Sequence, residues 1–321
     1  MPPSAVDRAR KVPPIMFPAP KKETTEIQGV VLAFSAYVIW GLFPLYFVLL
    51  RDVPPLVTLA FRATFTTLLL APLFVMLKKG KALVCALRNP RYVLGLFVTM
   101  ATTMASWGFF IWLVAINHTL YASLGNYGCP LVTVALGAIV FRERLRPCQL
   151  VAIGMAAVAV AIFAFGVGRL PWESVVVSFV FAIYSLLRKM INVDSTTALS
   201  VETIFALPFA LAYLVFEFMK TDGIPTWALA PTTLLLLIGA GVLTAIPLLL
   251  FGAAAHKCKL STIGLLIYIT PTGQFLCGAF ILHEKTSVGQ WISFVLIWIA
   301  LICFTVDLIR HDRKEELSTE G

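Results

Sequence analysis

The sequence predicts an all-α membrane protein of ten transmembrane helices, arranged as two inverted five-helix repeats. Three observations predict it. Hydrophobic residues make up 60% of the 321-residue chain and charged residues 13%, with a mean hydropathy of +0.91. A water-soluble domain carries about 25% charged residues, so this chain lacks the polar surface to dissolve. The apolar residues fall in continuous runs near the roughly 20 residues that cross a ~30 Å hydrocarbon core. The cations fall almost entirely on alternate loops.

Taken in order, residues 1–26 are basic and proline-rich, without an uninterrupted apolar run. They read as a disordered cytoplasmic tail rather than a cleaved signal peptide. Ten apolar runs follow, at 27–50, 54–77, 92–115, 119–140, 148–167, 172–187, 198–219, 229–251, 260–282 and 288–308. Lipid offers no partner for open backbone groups, so each must be helical. The runs are continuous rather than alternating, which excludes a β-barrel. With the first tail inside, 20 of the 25 Lys and Arg residues lie on the cytoplasmic side. Only Arg51, Arg169, Lys220 and Lys285 lie outside, and Arg62 lies within a span. That asymmetry predicts cytoplasmic N- and C-termini. The net charge of +9 is then a topology signal and not a nucleic-acid surface.

A repeat underlies the ten spans. Pro130 and Pro271, Gly137 and Gly278, Glu143 and Glu284, and Gln149 and Gln290 are each separated by 141 residues. The chain therefore divides into a tail (1–26), a first repeat (27–167), a second repeat (168–309) and a second cytoplasmic tail (310–321). Equivalent spans are five apart, an odd number, so the halves cross the membrane in opposite senses. Inverted repeats of this kind are the architecture of many secondary transporters, with the binding site near mid-membrane.

The fourth and ninth runs contain residues that weaken helices. Gly125, Asn126, Gly128 and Pro130 lie in one; Thr270, Pro271, Thr272, Gly273 and Gln274 lie in the other. Broken helices are tolerated at depth where they line a cavity or are buried in protein, so these two are expected to be broken cavity walls. Close packing of small residues is the plainer alternative. Pro130 and Pro271 are expected bending points.

Arg62 lies eight residues past Pro54, about 12 Å deep at 1.5 Å per residue. A charge at this depth marks a functional position. The repeat offset carries position 62 to within one residue of Glu202, which raises a cross-half ion pair as an expectation. Trp40, Trp107, Tyr127 and Tyr268 are aromatic residues with polar tips that need partners in lipid. With Arg62, Asn126 and Gln274 they form the expected substrate-binding set. No phosphate-binding loop, metal-binding helix or paired carboxylate occurs, so the expectation is no enzyme, no cofactor and no metal.

The stretches "AYVIWGLFPLYF", "FIWLVAINHTLYASLGNYGCPLV", "FRERL", "ETIFALPFALAYL" and "LSTIGLLIYITPT" resemble the RarD-like branch of the EamA transporters, in the drug/metabolite transporter superfamily. The resemblance covers about residues 27–310. It implies duplicated five-span halves, a bacterial inner-membrane address and permeation of small molecules, generally as export. Val57, Ser106, Tyr121 and Asn126 stand where that pattern usually has Glu, Asn, Glu and Tyr.

These readings together predict a secondary transporter. It would move a small amphipathic metabolite or drug by alternating access, driven by the solute's own gradient or by proton exchange. The alternative is a non-transporting membrane sensor or assembly protein.

Overall fold

The computed structural model describes residues 24–76, 88, 90–141, 147–191, 195–220, 225–255, 257 and 266–319. Regular structure among these is helical throughout. Helix α1 (Thr24–Gly41) turns at Leu42 into α2 (Phe43–Phe47) and a 3-10 turn (Val48–Leu50). Then follow α3 (Pro55–Met76), α4 (Pro90–Ala115), α5 (Thr119–Phe141), α6 (Pro147–Val167), α7 (Trp172–Met190) and α8 (Ser195–Lys220). A short α9 (Thr226–Leu229) leads to α10 (Pro231–Ala255). Helix α11 (Ile269–Leu276) widens into a π turn (Cys277–Ile281), and α12 (Val288–Thr319) closes the chain.

Eight of these helical stretches are long and apolar enough to cross a membrane. The runs at 172–187 and 260–282 are not among them. The first forms α7, which carries Glu173 at one end and Arg188 at the other. Its Ser174 and Ser178 hydroxyls donate to the carbonyls of Tyr121 and Gly125 on α5, both at 2.7 Å. A helix that spends one face on protein needs fewer apolar residues than one facing lipid. The second run is described only from Leu266, and its helix is interrupted.

The expected break in the fourth run is absent. Helix α5 passes through Pro130 without interruption. Its glycines serve contact instead: a Cβ on Gly125 would lie 2.6 Å from Val177 Cβ and 2.7 Å from the Ser174 carbonyl oxygen. The ninth run is interrupted just before the expected residues, at a turn over Ile267 and Tyr268, and α11 then runs unbroken through Pro271 to Gly273, where Gly41 crosses it. A Cβ on Gly273 would stand 2.9 Å from the Gly41 Cα. Only two hydrogen side chains let α1 and α11 approach so closely.

The packed interior is rich in aromatic residues. One cluster joins Tyr121, Tyr127, Phe163, Phe275 and Phe294. A second joins Phe43, Phe47, Ile111, Trp227 and Leu237. Trp227 is buried against Phe61 and Phe218. Large apolar side chains such as Phe165 and Leu235 point outward, as lipid contact requires.

Candidate functional site

The seven expected binding residues fall into three neighbouring groups rather than around one open hollow. The first is built on Arg62, which α3 holds almost completely buried at 3% exposure. Its Nε donates to Thr244 Oγ1 on α10 at 2.8 Å. Thr244 gives its own hydroxyl proton to the Ala240 carbonyl at 2.8 Å, so its oxygen is fixed as an acceptor. The guanidinium carbon lies 4.1 Å from the Trp107 ring centroid and 5.3 Å from those of Phe43 and Phe47. Three aromatic faces thus partly replace the lost water, and a desolvated cation–π contact contributes about 2 kcal/mol.

No carboxylate pairs with Arg62 among the described residues. The pair with Glu202 raised from the sequence is not formed. Glu202 instead faces Arg188 of α7, with Nη1 and Oε1 separated by 4.0 Å. The repeat offset locates equivalent positions in two copies, and says nothing of whether those positions meet.

The second group is a polar seam between α5, α11 and α12. Asn126 Nδ2 donates to Gln274 Oε1 at 2.7 Å. Ser123 donates to the Pro271 carbonyl at 2.8 Å. Trp298 Nε1 donates to the Tyr127 hydroxyl oxygen at 2.6 Å, and Tyr127 meets Thr272 Oγ1 at 2.6 Å. Thr272 donates to the Tyr268 carbonyl at 2.7 Å. Its proton is therefore committed, and Tyr127 must be the donor between them. The result is a one-way chain from Trp298 through Tyr127 and Thr272 to the backbone, in a place where water is scarce. Tyr127 itself is fully buried.

The third group flanks a crevice between α1 and α11. A cavity of about 340 Å³ is lined by Val38, Leu42, Tyr268, Thr272, Gly273 and Leu276. Trp40 is next to this wall, packed against Tyr37 and Phe251 at 5.5 and 5.8 Å between ring centroids. Of the two expected bending points, Pro130 sits inside α5, while Pro271 is in the first turn of α11, where a missing N–H costs little.

Sequence reasoning missed Phe43, Phe47, Thr244 and Trp298. Some signal was present. Phe43 and Phe47 are four apart, so a helix puts both on one face. Thr244 is an isolated hydroxyl in the apolar run "LLLLIGAGVLTAIPLLLF".

A polar cluster closes the end of the bundle where α5 begins. Arg169 holds Glu173 through two bonds of 3.0 and 2.6 Å, and His118 Nδ1 lies 3.5 Å from the same carboxylate. Glu284 accepts from the backbone N–H groups of Thr119 and Leu120, at 2.7 and 3.0 Å. It thereby caps α5 from a distant part of the chain. Burial lowers the His118 pKa, partly opposed by the Glu173 charge. Burial raises that of Glu284, against the pull of its N–H donors.

Known proteins are similar to this sequence. The EamA-like transporter family matches the chain twice, over residues 27–165 and 174–306. Protein RarD of Streptomyces exfoliatus is 38% identical over 303 residues, covering 94% of this chain and 95% of that protein. An uncharacterized transporter of Vibrio cholerae is 39% identical over 295 residues, covering 91% and 96%. A solved crystal structure, 17% identical with a TM-score of 0.58, covers 88% of this chain and 98% of its own, and shares the fold. With its apolar helices and two family matches, the chain belongs to the EamA-like transporter family and is a multi-pass membrane transporter.

Proposed function

We propose that this protein is a secondary transporter that exports a small amphipathic solute across the bacterial inner membrane by alternating access. The chain would cross ten times, as two inverted five-helix halves with both termini in the cytoplasm. The observation that carries this reading is the placement of polar groups inside the apolar bundle. The bond from Arg62 to Thr244, and the Asn126–Gln274 seam, both join helices of the first half to helices of the second.

The helix contacts support the two-half arrangement. Exchanging each span for the one five later pairs the α5–α7 contact with α11–α1, and α4–α7 with α10–α1. It pairs α3–α10 with α8–α4, and leaves α3–α8, α5–α11 and α6–α12 as their own mates. The two family matches along the chain fit the same duplication.

Trp40, Arg62, Trp107, Asn126, Tyr127, Tyr268 and Gln274 would line the solute path, with Pro130 and Pro271 as the points that flex. The crevice beside Tyr268 and Gly273 is a fragment of that path in a closed conformation. Opening the α5 end would require Glu284 to release Thr119 and Leu120. Flux in proteoliposomes, scanned over aromatic acids, amino acids and neutral drugs, tests the reading. Saturable flux that Arg62→Ala and Trp107→Ala abolish is the expected result. Rates equal to empty liposomes for the whole panel would overturn it in favour of a sensor or assembly role.

A further inference from the structure

A second buried charge lies away from the groups described above. Glu202 on α8 is 1% exposed, and neither carboxyl oxygen has a hydrogen-bond partner. It sits beside the apolar cluster of Leu96, Ala198 and Val201. Arg188 Nη1, 4.0 Å away, is also buried and without a partner. The two charges are close enough to attract and too far apart to bond. A bare carboxylate in such a place loses its water and gains no donor, which costs several kcal/mol or forces it to neutralise.

The groups around Glu202 show which state they suit. From α4, the Thr99 hydroxyl faces the carboxyl. Turned toward the carboxyl, the Thr99 hydroxyl would favour the ionised form, but here it donates to the Leu96 carbonyl at 3.0 Å, so toward Glu202 it can only accept. An ionised carboxylate also only accepts, and two acceptors repel. A protonated carboxylic acid has the one donor that Thr99 lacks. Thr103, one turn along α4, is buried with its own oxygen unpartnered. From α3, Thr67 spends its hydroxyl on the carbonyls of Ala63 and Thr203. From α7 come Arg188 and Tyr184, the titratable groups within electrostatic reach.

We propose that Glu202 is the proton-binding site of the transport cycle, protonated in the conformation seen here and ionised against Arg188 in the alternate one. This rests on the transporter reading and supplies its coupling ion. Hydronium transfers its proton to a carboxyl oxygen, forming one O–H bond and leaving water. After the rearrangement the same bond breaks toward water on the other side, and Arg188 closes the 4.0 Å gap to hold the carboxylate.

Infrared spectroscopy of the full chain in lipid, titrated with pH, tests this without any knowledge of the solute. The carbonyl stretch of a protonated carboxylic acid should be present in the wild type and disappear at alkaline pH. Glu202→Gln should abolish it, and Glu284→Gln should leave it. Arg188→Gln removes the competing cation, so the band should persist to a pH about 1 to 3 units higher. If Glu202→Gln fails to fold, the Arg188→Gln shift decides. No titrating band, or a band indifferent to both substitutions, overturns the proposal. Solute flux without such a band would sink proton binding and leave the transporter standing; a band without flux would do the reverse.

Discussion

Asn126 and Gln274 hold each other at 2.7 Å across the contact between α5 and α11, two helices from opposite halves of the sequence. Side-chain hydrogen bonds inside membrane proteins contribute about 0.6 kcal/mol on average and up to about 1.7. Asn126→Ala and Gln274→Ala should each lower thermal stability by an amount in that range. The double variant should lose less than the two together, because the second substitution removes a group already unpartnered. Strictly additive losses in Tm would show that the amides do not meet.

The crossing of α1 and α11 is tighter still. A methyl group on Gly273 would press on the Gly41 backbone, which cannot rotate away as a side chain does. Gly273→Ala should destabilise by about 1 to 3 kcal/mol, as overpacking does. Gly154, where an added Cβ would meet nothing within 4 Å, is the control. Gly154→Ala should be neutral or stabilising, by up to about 1 kcal/mol in a helix interior. Equal effects of the two in thermal melts would refute the close approach.

Arg62 offers a planar face to Trp107 and an Nε–H to Thr244. Lysine keeps the charge and has neither feature. Arg62→Lys should therefore fold and yet weaken ligand-induced thermal stabilisation or flux by roughly tenfold, equivalent to about 1.4 kcal/mol. Wild-type affinity in the lysine variant would mean that charge alone matters there.

The His118 pKa is lowered in the folded protein, chiefly by burial. A base with a depressed folded pKa favours the native state in its neutral form. Its contribution is complete above the unfolded value of about 6.5 and is lost as the pH falls below it. Tm should fall as the pH drops from that value, and His118→Gln should flatten the decline. An unchanged pH profile in the variant would show that His118 is not the titrating group.

Much of this fold was legible in the sequence because lipid imposes a simple rule. Apolar runs such as 119–140 and 288–308 had to be helices, and they are. The run 172–187 is helical too, as α7, but because one face rests on protein through Ser174 and Ser178 it is not among the stretches apolar enough to count as a span by composition. The sequence reading misjudged Gly125 and Pro130, since a glycine that breaks a lone helix also lets a neighbour approach, and composition cannot separate the two. The polar residues at depth were visible one at a time. Their partners were not: Thr244 for Arg62, Trp298 for Tyr127 and Arg188 for Glu202 lie 182, 171 and 14 positions away in the chain. No local pattern encodes such distances.

The central claim is that the two halves move against each other. Asn117 and Lys285 are both exposed, and they flank the contact in which Glu284 caps α5. Distances between spin labels on Asn117→Cys and Lys285→Cys, measured in lipid bilayers, report directly whether that contact opens. Two populations are expected, a short one matching the capped arrangement and a longer one in which Glu284 has let go. A single short distance at every pH and with every solute would contradict the claim.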